Sequence, residues 1–279
     1  MLSLILSVVS SSLVSIIMRL STGRVKFNLG MLTMNYIVCT LLSGLFGGFA
    51  GAFDLSSPLT GMTLAMGAVN GFLYLAGFVL MQMNIRKNGV VLSSIFQKLG
   101  LLVTLVVSVV FYREIPDLLQ SLGFALAILA IFLMNYRKGG EKAGSRGALI
   151  AMLLSCGTAD AMSKIFKESG PAALEGQFLF YTFAVAMALC AVCMTVSGQK
   201  IGGREAAFGI LIAVPNFFSS KFLLGALESL SAVIVYPVFS VCTILAVTLT
   251  GVLAFRERLD RKQWIGVAVI LTALVLLNV

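Results

Sequence analysis

The sequence predicts an all-α integral membrane protein with ten transmembrane helices in two inverted five-helix repeats around a central cavity. Three observations lead to this prediction: an apolar composition, an internal repeat and a one-sided distribution of basic residues. Hydrophobic residues make up 59% of the 279 residues and charged residues only 11%, whereas a soluble domain carries about 25% charged residues. A surface with so little charge requires lipid as its main solvent.

Ten apolar runs can be separated by charged residues and by clusters of Gly, Pro and Asn. Each is close to the ~20 residues that a helix needs to cross a bilayer. Predicted helices 1 to 5 cover residues 2–20, 28–51, 59–83, 89–112 and 116–135. Predicted helices 6 to 10 cover residues 147–169, 173–197, 205–227, 230–255 and 260–279. The polar stretch 137–146 is the expected linker between a first repeat, residues 1–136, and a second repeat, residues 147–279.

The internal repeat is clearest where an apolar run ends in a short charged elbow. Residues 112–123 read YREIPDLLQSLG, and residues 255–266 read FRERLDRKQWIG. At one constant offset the matched pairs are Tyr112 with Phe255, Arg113 with Arg256, Glu114 with Glu257, Asp117 with Asp260, Gln120 with Gln263, Gly123 with Gly266 and Asn135 with Asn278. This register indicates a duplicated unit of about 140 residues.

The orientation follows from the odd number of helices in each repeat, which places the second repeat upside down relative to the first. The loops after helices 1, 3, 5, 7 and 9 carry most of the Lys and Arg residues, whereas the loops on the other face carry Arg113, Lys167 and, at a boundary, Lys164. The basic face is expected in the cytoplasm. Both termini are then extracytoplasmic, and ten helices with short loops fit a bacterial inner membrane.

Polar residues inside the predicted helices indicate where a site lies. A charge in the hydrocarbon layer costs at least about 2.5 kcal/mol at a helix centre, so it needs a partner or a wet cavity. Three such charges are Lys98 in helix 4, Asp160 in helix 6 and Lys221 in helix 8. Pro215 and Pro237 predict interrupted helices nearby. The uncharged residues expected to line the same central cavity are Asn70, Tyr74, Gln97, Asn216 and Tyr236.

Each charge has a functional and a structural interpretation. Lys98 is interpreted as a cation for a substrate carboxylate or another anion; the alternatives are a salt bridge and snorkelling, which its depth disfavours. Asp160 precedes Lys164 by one turn, so an intrahelical ion pair is one interpretation. The other is a carboxylate that balances Lys98 or carries a proton. Lys221 fits substrate binding and a structural contact with the interface or Glu228 equally well.

Several other functions are not expected. The chain has no histidine, and it shows no nucleophile–base pair, so neither catalysis, a metal nor a cofactor is expected. The single CxxC at Cys190 and Cys193 is interpreted as packing. The basic residues are scattered over short loops, so no nucleic-acid partner is expected. The expected partners are a small-molecule substrate, the lipid bilayer and, if Asp160 carries it, a coupling proton; the sequence does not indicate an oligomeric state.

Residues 71–135 resemble the EamA-type half of the drug/metabolite transporter superfamily. The resemblance rests on a GxxYLxxF-like third helix at 71–78, on Gly89 at the start of helix 4, and on the two elbows. It implies two inverted five-helix repeats around a central cavity, with alternating access and with helices 5 and 10 at the periphery. Family members mostly export amino acids, other metabolites or drugs. Helix 4 departs from the family pattern, because Gln97 and Lys98 stand where proline and apolar residues are common.

The resulting hypothesis is a secondary transporter that exports or exchanges a small polar metabolite, carboxylate-bearing and with amino acids as one candidate class. In this hypothesis Lys98 and Lys221 meet the anionic group, and Asp160 balances charge or carries a proton. The alternatives are a lipophilic-cation or drug exporter that uses Asp160, and a membrane scaffold that transports nothing.

Overall fold

The computed structural model describes residues 1–47, 58–112, 117–119, 121–123, 125–126, 129, 144–230 and 232–276. The first half contains α1 (Leu2–Ser21), α2 (Asn28–Gly47), α3 (Pro58–Asn88), α4 (Val90–Lys98) and α5 (Leu101–Tyr112). The second half contains α6 (Gly144–Ser169), α7 (Glu175–Val196), α8 (Gly203–Ser229), α9 (Ala232–Leu253) and α10 (Arg261–Leu276), with a 3-10 turn at Ala172–Leu174. Over these residues the chain is helical and contains no strand.

Within the described residues, six helices are long and apolar enough to cross a membrane: α1, α2, α3, α6, α7 and α8. Shorter apolar helical stretches cover Val90–Thr104, Val238–Leu253 and Trp264–Ala273. The predicted all-α membrane class is therefore confirmed. Most of predicted helix 5 and of the linker lies outside the described residues, so the count of ten spans stays a prediction.

Predicted helix 4 is two helices, which corrects the single span expected over 89–112. Its backbone tightens at the junction, where Gly100 N–H donates to Gln97 O at 3.1 Å and Val103 N–H donates to Gly100 O at 2.8 Å. The cause is a close crossing with α6, since a Cβ on Gly100 would lie 2.8 Å from Gly157 Cα. Neither proline ends its helix, because α8 continues through Pro215 and α9 spans position 237.

Replacing Gly157 by valine is expected to destabilise the protein, because its Cβ would lie 2.8 Å from Gly100 Cα and from Val103 Cβ. Overpacking of this kind typically costs about 1–3 kcal/mol, so the apparent Tm should fall by at least about 2 °C. Gly147→Val is the matched control on the same helix, since no atom lies within 4 Å of a Cβ there. Equal melting temperatures of the two variants in detergent would contradict the close crossing.

The helices pack in a pattern that recurs between the two halves. Helix α1 packs against α8, and α6 packs against α3. Likewise α2 packs against α8 and α7 against α3, while α1 contacts α9 and α6 contacts α4 and α5. Helices α2 and α7 also pack against each other. These pairings are unchanged when α1 is exchanged with α6, α2 with α7, α3 with α8, and α4 together with α5 with α9.

A carboxylate joins three helices at one end of the bundle. Glu257, just after α9, accepts hydrogen bonds from the Val90 and Val91 amides at 2.9 and 3.2 Å. These amides have no partner within α4, because the first turn of a helix lacks acceptors. Arg19 Nε, near the end of α1, donates to Glu257 Oε1 at 3.1 Å. We call these four residues the Glu257 cap, and the end of the bundle that contains it the basic end.

Buried apolar side chains are concentrated between the basic end and the middle of the bundle. Met18, Ile85, Val90 and Phe96 are each at most 1% exposed and belong to the large core cluster. The cluster towards the opposite end is small and consists of Leu4, Ala226, Val235 and Phe239. The basic end is therefore densely packed and closed.

Candidate functional site

A cavity of about 100 Å³ lies between α1, α3, α4, α6, α8 and α9. We call it the central cavity. It has room for several water molecules. Its wall combines one lysine, one aspartate, several hydroxyls and two side-chain amides with apolar residues. Five of the residues predicted for the site line it: Tyr74, Gln97, Lys98, Asp160 and Asn216.

Lys98 is the last residue of α4, beside the junction with α5. Its Nζ donates to Ser11 Oγ at 3.0 Å and lies 3.7 Å from the centroid of the Phe239 ring. No carboxylate of a described residue lies within ion-pair distance. The carbonyl end of a helix favours a cation, and the ring face does so as well. The ammonium is thus stabilised by dipoles and a ring rather than neutralised, and it remains available to an anion.

Asp160 on α6 lines the same cavity. It makes no hydrogen bond or ion pair with any residue that the structure describes, and the ion pair expected with Lys164 does not form. Lys164 Nζ instead lies 5.6 Å from the centroid of the Tyr112 ring. Asp160 and Lys98 interact electrostatically across the cavity. The cavity therefore presents one cation and one carboxylate that are not in direct contact.

A hydrogen-bond network positions the uncharged wall. Tyr74 Oη lies 3.3 Å from Ser220 Oγ, which in turn donates to Asn216 O at 3.4 Å. Asn216 Nδ2 donates to Asn35 Oδ1 at 3.4 Å, and Tyr36 Oη donates to Tyr74 O at 3.0 Å. These bonds connect α2, α3 and α8, so they fix the Tyr74 hydroxyl and the Asn216 amide on one side of the cavity.

The remaining predicted residues are elsewhere. Asn70 is 1% exposed and donates through Nδ2 to Thr182 Oγ1 of α7 at 3.3 Å, away from the central cavity. Lys221 lines a different pocket, between α2, α7 and α8. The side chains of Tyr236 and Glu228 lie outside the described residues. The expectation of one cavity for all the polar residues was therefore wrong for Asn70 and Lys221.

Two contacts of Lys98 were not predicted. Ser11 belongs to a stripe with Ser7 and Ser15 on one face of α1, and this spacing of four residues was a signal that the sequence contained. Phe239 carries no such signal, because one phenylalanine in an apolar helix is ordinary packing. Within the part of the chain that the structure describes, no three metal-ligating side chains come together.

Comparisons with known proteins agree with this architecture. The model of the EamA-like transporter family matches residues 1–136 and 145–279. An "Uncharacterized protein" of Haemophilus influenzae (strain ATCC 51907 / DSM 11121 / KW20 / Rd) is 25% identical over 213 residues, which are 73% of this chain and 72% of that protein. A solved structure described as "Crystal structure of protein" covers 99% of this chain and 96% of its own, with a TM-score of 0.64 and 14% identity. At that identity the likeness shows the fold alone.

Proposed function

The chain belongs to the EamA-like transporter family of the drug/metabolite transporter superfamily, and from this premise we propose that it exports or exchanges a small, polar, carboxylate-bearing metabolite by alternating access. The observation that carries the substrate class is the Lys98 ammonium in the central cavity, which has a hydroxyl and a ring as neighbours but no carboxylate of a described residue within ion-pair distance. An entering carboxylate would exchange the neutral contact with Ser11 for a stronger, charge-assisted hydrogen bond.

Amino acids fit this class because the cavity offers a second charge. Asp160 lines the same cavity as Lys98, so it would meet the ammonium group of an amino acid while Lys98 meets the carboxylate. In the empty cavity Asp160 balances the lysine charge. A coupling proton on Asp160 is the alternative role, and it predicts transport that depends on a pH gradient across the membrane.

The packing supports two inverted five-helix repeats. The six helices of the cavity wall form three counterpart pairs, which are α1 with α6, α3 with α8 and α4 with α9. The main neighbours of α1, α2 and α3 also exchange with those of α6, α7 and α8. Such a pseudo-twofold arrangement lets the same wall open towards either face. We place the basic end in the cytoplasm of a bacterial inner membrane, following the distribution of Lys and Arg.

Counterflow in proteoliposomes tests the substrate class. Vesicles with the wild-type protein are loaded with amino acids, organic acids, phosphorylated metabolites or lipophilic cations, and uptake of the labelled compound is measured. We expect exchange of at least one carboxylate-bearing compound and none of the cations. Exchange of lipophilic cations alone would contradict this proposal and would favour an exporter that uses Asp160.

A cysteine in place of Ser11 is expected to react with a charged methanethiosulfonate, because the cavity reaches water in a transporter and the neighbouring Lys98 favours the reactive thiolate. The five native cysteines are first replaced. Ser21→Cys is the control on the same helix, since Ser21 is 1% exposed and lies in the packed basic end. If both cysteines are equally unreactive, the transport proposal fails and the scaffold alternative is favoured.

A further inference from the structure

We propose that the pocket between α2, α7 and α8 is a second binding site, separate from the central cavity, which takes an oxyanion in the form of a carboxylate or phosphate group. We call it the α2–α7–α8 pocket. Its volume is about 320 Å³, which is within the usual range for ligand sites. Its polar side chains are those of Ser43, Glu175 and Lys221.

Lys221 supplies the positive charge of this pocket. Its Nζ lies 3.9 Å from the centroid of the Phe46 ring and 5.9 Å from that of Phe217. It makes no hydrogen bond and no ion pair with any described residue. An ammonium group has three N–H donors. A ring face stabilises the positive charge, but it does not accept hydrogen bonds from all three donors. Within the described part of the chain, the donors of Lys221 are therefore available to an anionic oxygen.

Ser43 supplies an independent indication of a ligand. It is 1% exposed, and its Oγ has no hydrogen-bond partner among the described residues. Other hydroxyls of α2 do not share this property: Thr33 and Thr40 donate to carbonyls one turn earlier in the helix at 2.8 Å. A buried hydroxyl without a partner is uncommon in native proteins. An oxyanion bound to Lys221 would give the Ser43 hydroxyl an acceptor.

The remaining charge in the pocket does not cancel that of Lys221. Glu175 Oε2 lies 3.4 Å from Lys167 Nζ, so this carboxylate already has a cationic partner. An anion is therefore favoured over a cation in the α2–α7–α8 pocket.

The two sites are separated by α8 itself. Asn216, Ser219 and Ser220 face the central cavity, whereas Phe217 and Lys221 face the α2–α7–α8 pocket. Successive residues of a helix differ by about 100° in direction, so the two sets occupy neighbouring faces. A ligand at Lys221 thus leaves the Lys98 site unoccupied.

Two sources offer the required oxyanion. The pocket includes Gly47 at the end of α2 and Gly176 in the first turn of α7, so it lies near the membrane surface away from the basic end. Apolar walls from Leu179 and Leu224 suit an acyl chain as well as the apolar part of a metabolite. The anionic group is either the phosphate of a lipid headgroup or a free anion.

The test uses the purified full-length protein in detergent and two probes. Phosphatidylglycerol binding is measured by native mass spectrometry, with diacylglycerol of the same chains as the phosphate-free control. Binding of radiolabelled inorganic phosphate is measured by scintillation proximity. We expect Lys221→Met, which keeps an apolar stem, to weaken binding of at least one probe about fivefold. Ser43→Ala should weaken it less, and Lys221→Arg should retain it.

The pattern of binding identifies the source. If the wild-type protein binds phosphatidylglycerol but not inorganic phosphate, the site is a lipid site. If it binds inorganic phosphate, the site takes a free anion. Lys200→Ala is the control, because it removes an exposed lysine near the basic end, away from the α2–α7–α8 pocket, and should leave both probes unaffected. The proposal is overturned if the wild type binds neither probe, or if Lys221→Met binds both as the wild type does. Neither readout requires transport, so this test and the counterflow test fail independently.

Discussion

Replacing Lys98 by alanine is expected to lower transport of the carboxylate substrate at least about tenfold, because a hydrogen bond to a charged group contributes about 1.5–3 kcal/mol. The substrate carboxylate would enter a cavity whose charge comes from Asp160 alone and would be repelled by it. Transport of a lipophilic cation should stay absent or appear only in this variant. The measurement is the initial rate of counterflow in proteoliposomes at matched protein density.

Two variants show whether the effect belongs to the charge in the cavity. Lys200→Ala removes an exposed lysine near the basic end and should transport as the wild type does. Lys98→Arg retains the charge with a bulkier head and should transport better than Lys98→Ala. Carboxylate transport at the wild-type rate in Lys98→Ala would show that the substrate does not meet this lysine.

The charges of the central cavity could be predicted from the sequence because their cost in lipid is a local property of each residue. Lys98 and Asp160 each lie deep in an apolar run. The free energy of placing a charge there is low only if the helices form a wet or polar site around it. Their proximity to Tyr74 and Asn216 then follows, since few such sites form in one bundle. The same reasoning failed for Lys221, because this residue lies on a different face of α8. Asn216 and Ser220 are one turn apart and face the central cavity, whereas Lys221 faces the other pocket.

The break after Lys98 could not be predicted, because it depends on a contact between two glycines distant in the chain. Gly100 and Gly157 are single glycines in apolar runs, and neither belongs to a GxxxG pair. Only their crossing, at 2.8 Å between a Cβ on Gly100 and Gly157 Cα, requires both to lack side chains. The chain must then turn at the end of α4, which positions the Lys98 ammonium at the carbonyl end of a helix.

The role of the elbow glutamate was likewise hidden from the sequence. The repeat marks Glu257 as a matched position, but its partners are two backbone amides. Nearly every residue has a backbone amide, so the sequence does not show which amides this carboxylate will meet. Arg19, its third partner, is 238 positions away in the chain. A motif can thus be recognised by its recurrence while the contact that it makes is visible only in the fold.

Replacing Glu257 by alanine is expected to open the basic end. The variant leaves the amides of Val90 and Val91 without an acceptor and Arg19 without its carboxylate. Loss of such a helix cap costs about 0.5–2 kcal/mol. The cap joins α1, α4 and α9, and all three line the central cavity. Without this stabilisation of the closed end, we expect a larger population of the conformation that opens towards the basic end.

The readout is the labelling rate of Ser94→Cys by a charged thiol reagent added on the side of the basic end. Ser94 is 1% exposed, and its Oγ has no hydrogen-bond partner in the part of the chain that the structure describes, so the cysteine disturbs no bond there. A shift of one or two kcal/mol corresponds to a rate about 5–30 times higher.

Glu205→Ala is the matched control, because Glu205 accepts hydrogen bonds from the amides of Lys26 and Phe27 at 2.9 and 3.1 Å. That carboxylate also caps a helix at the basic end, but it joins α8 to α2, and α2 does not line the central cavity. Its loss should lower the apparent Tm without exposing Ser94→Cys. Equal labelling in the two variants would mean that any weakening of the basic end exposes α4. Faster labelling in Glu257→Ala alone would identify the Glu257 cap as the contact that keeps the cavity closed at this end.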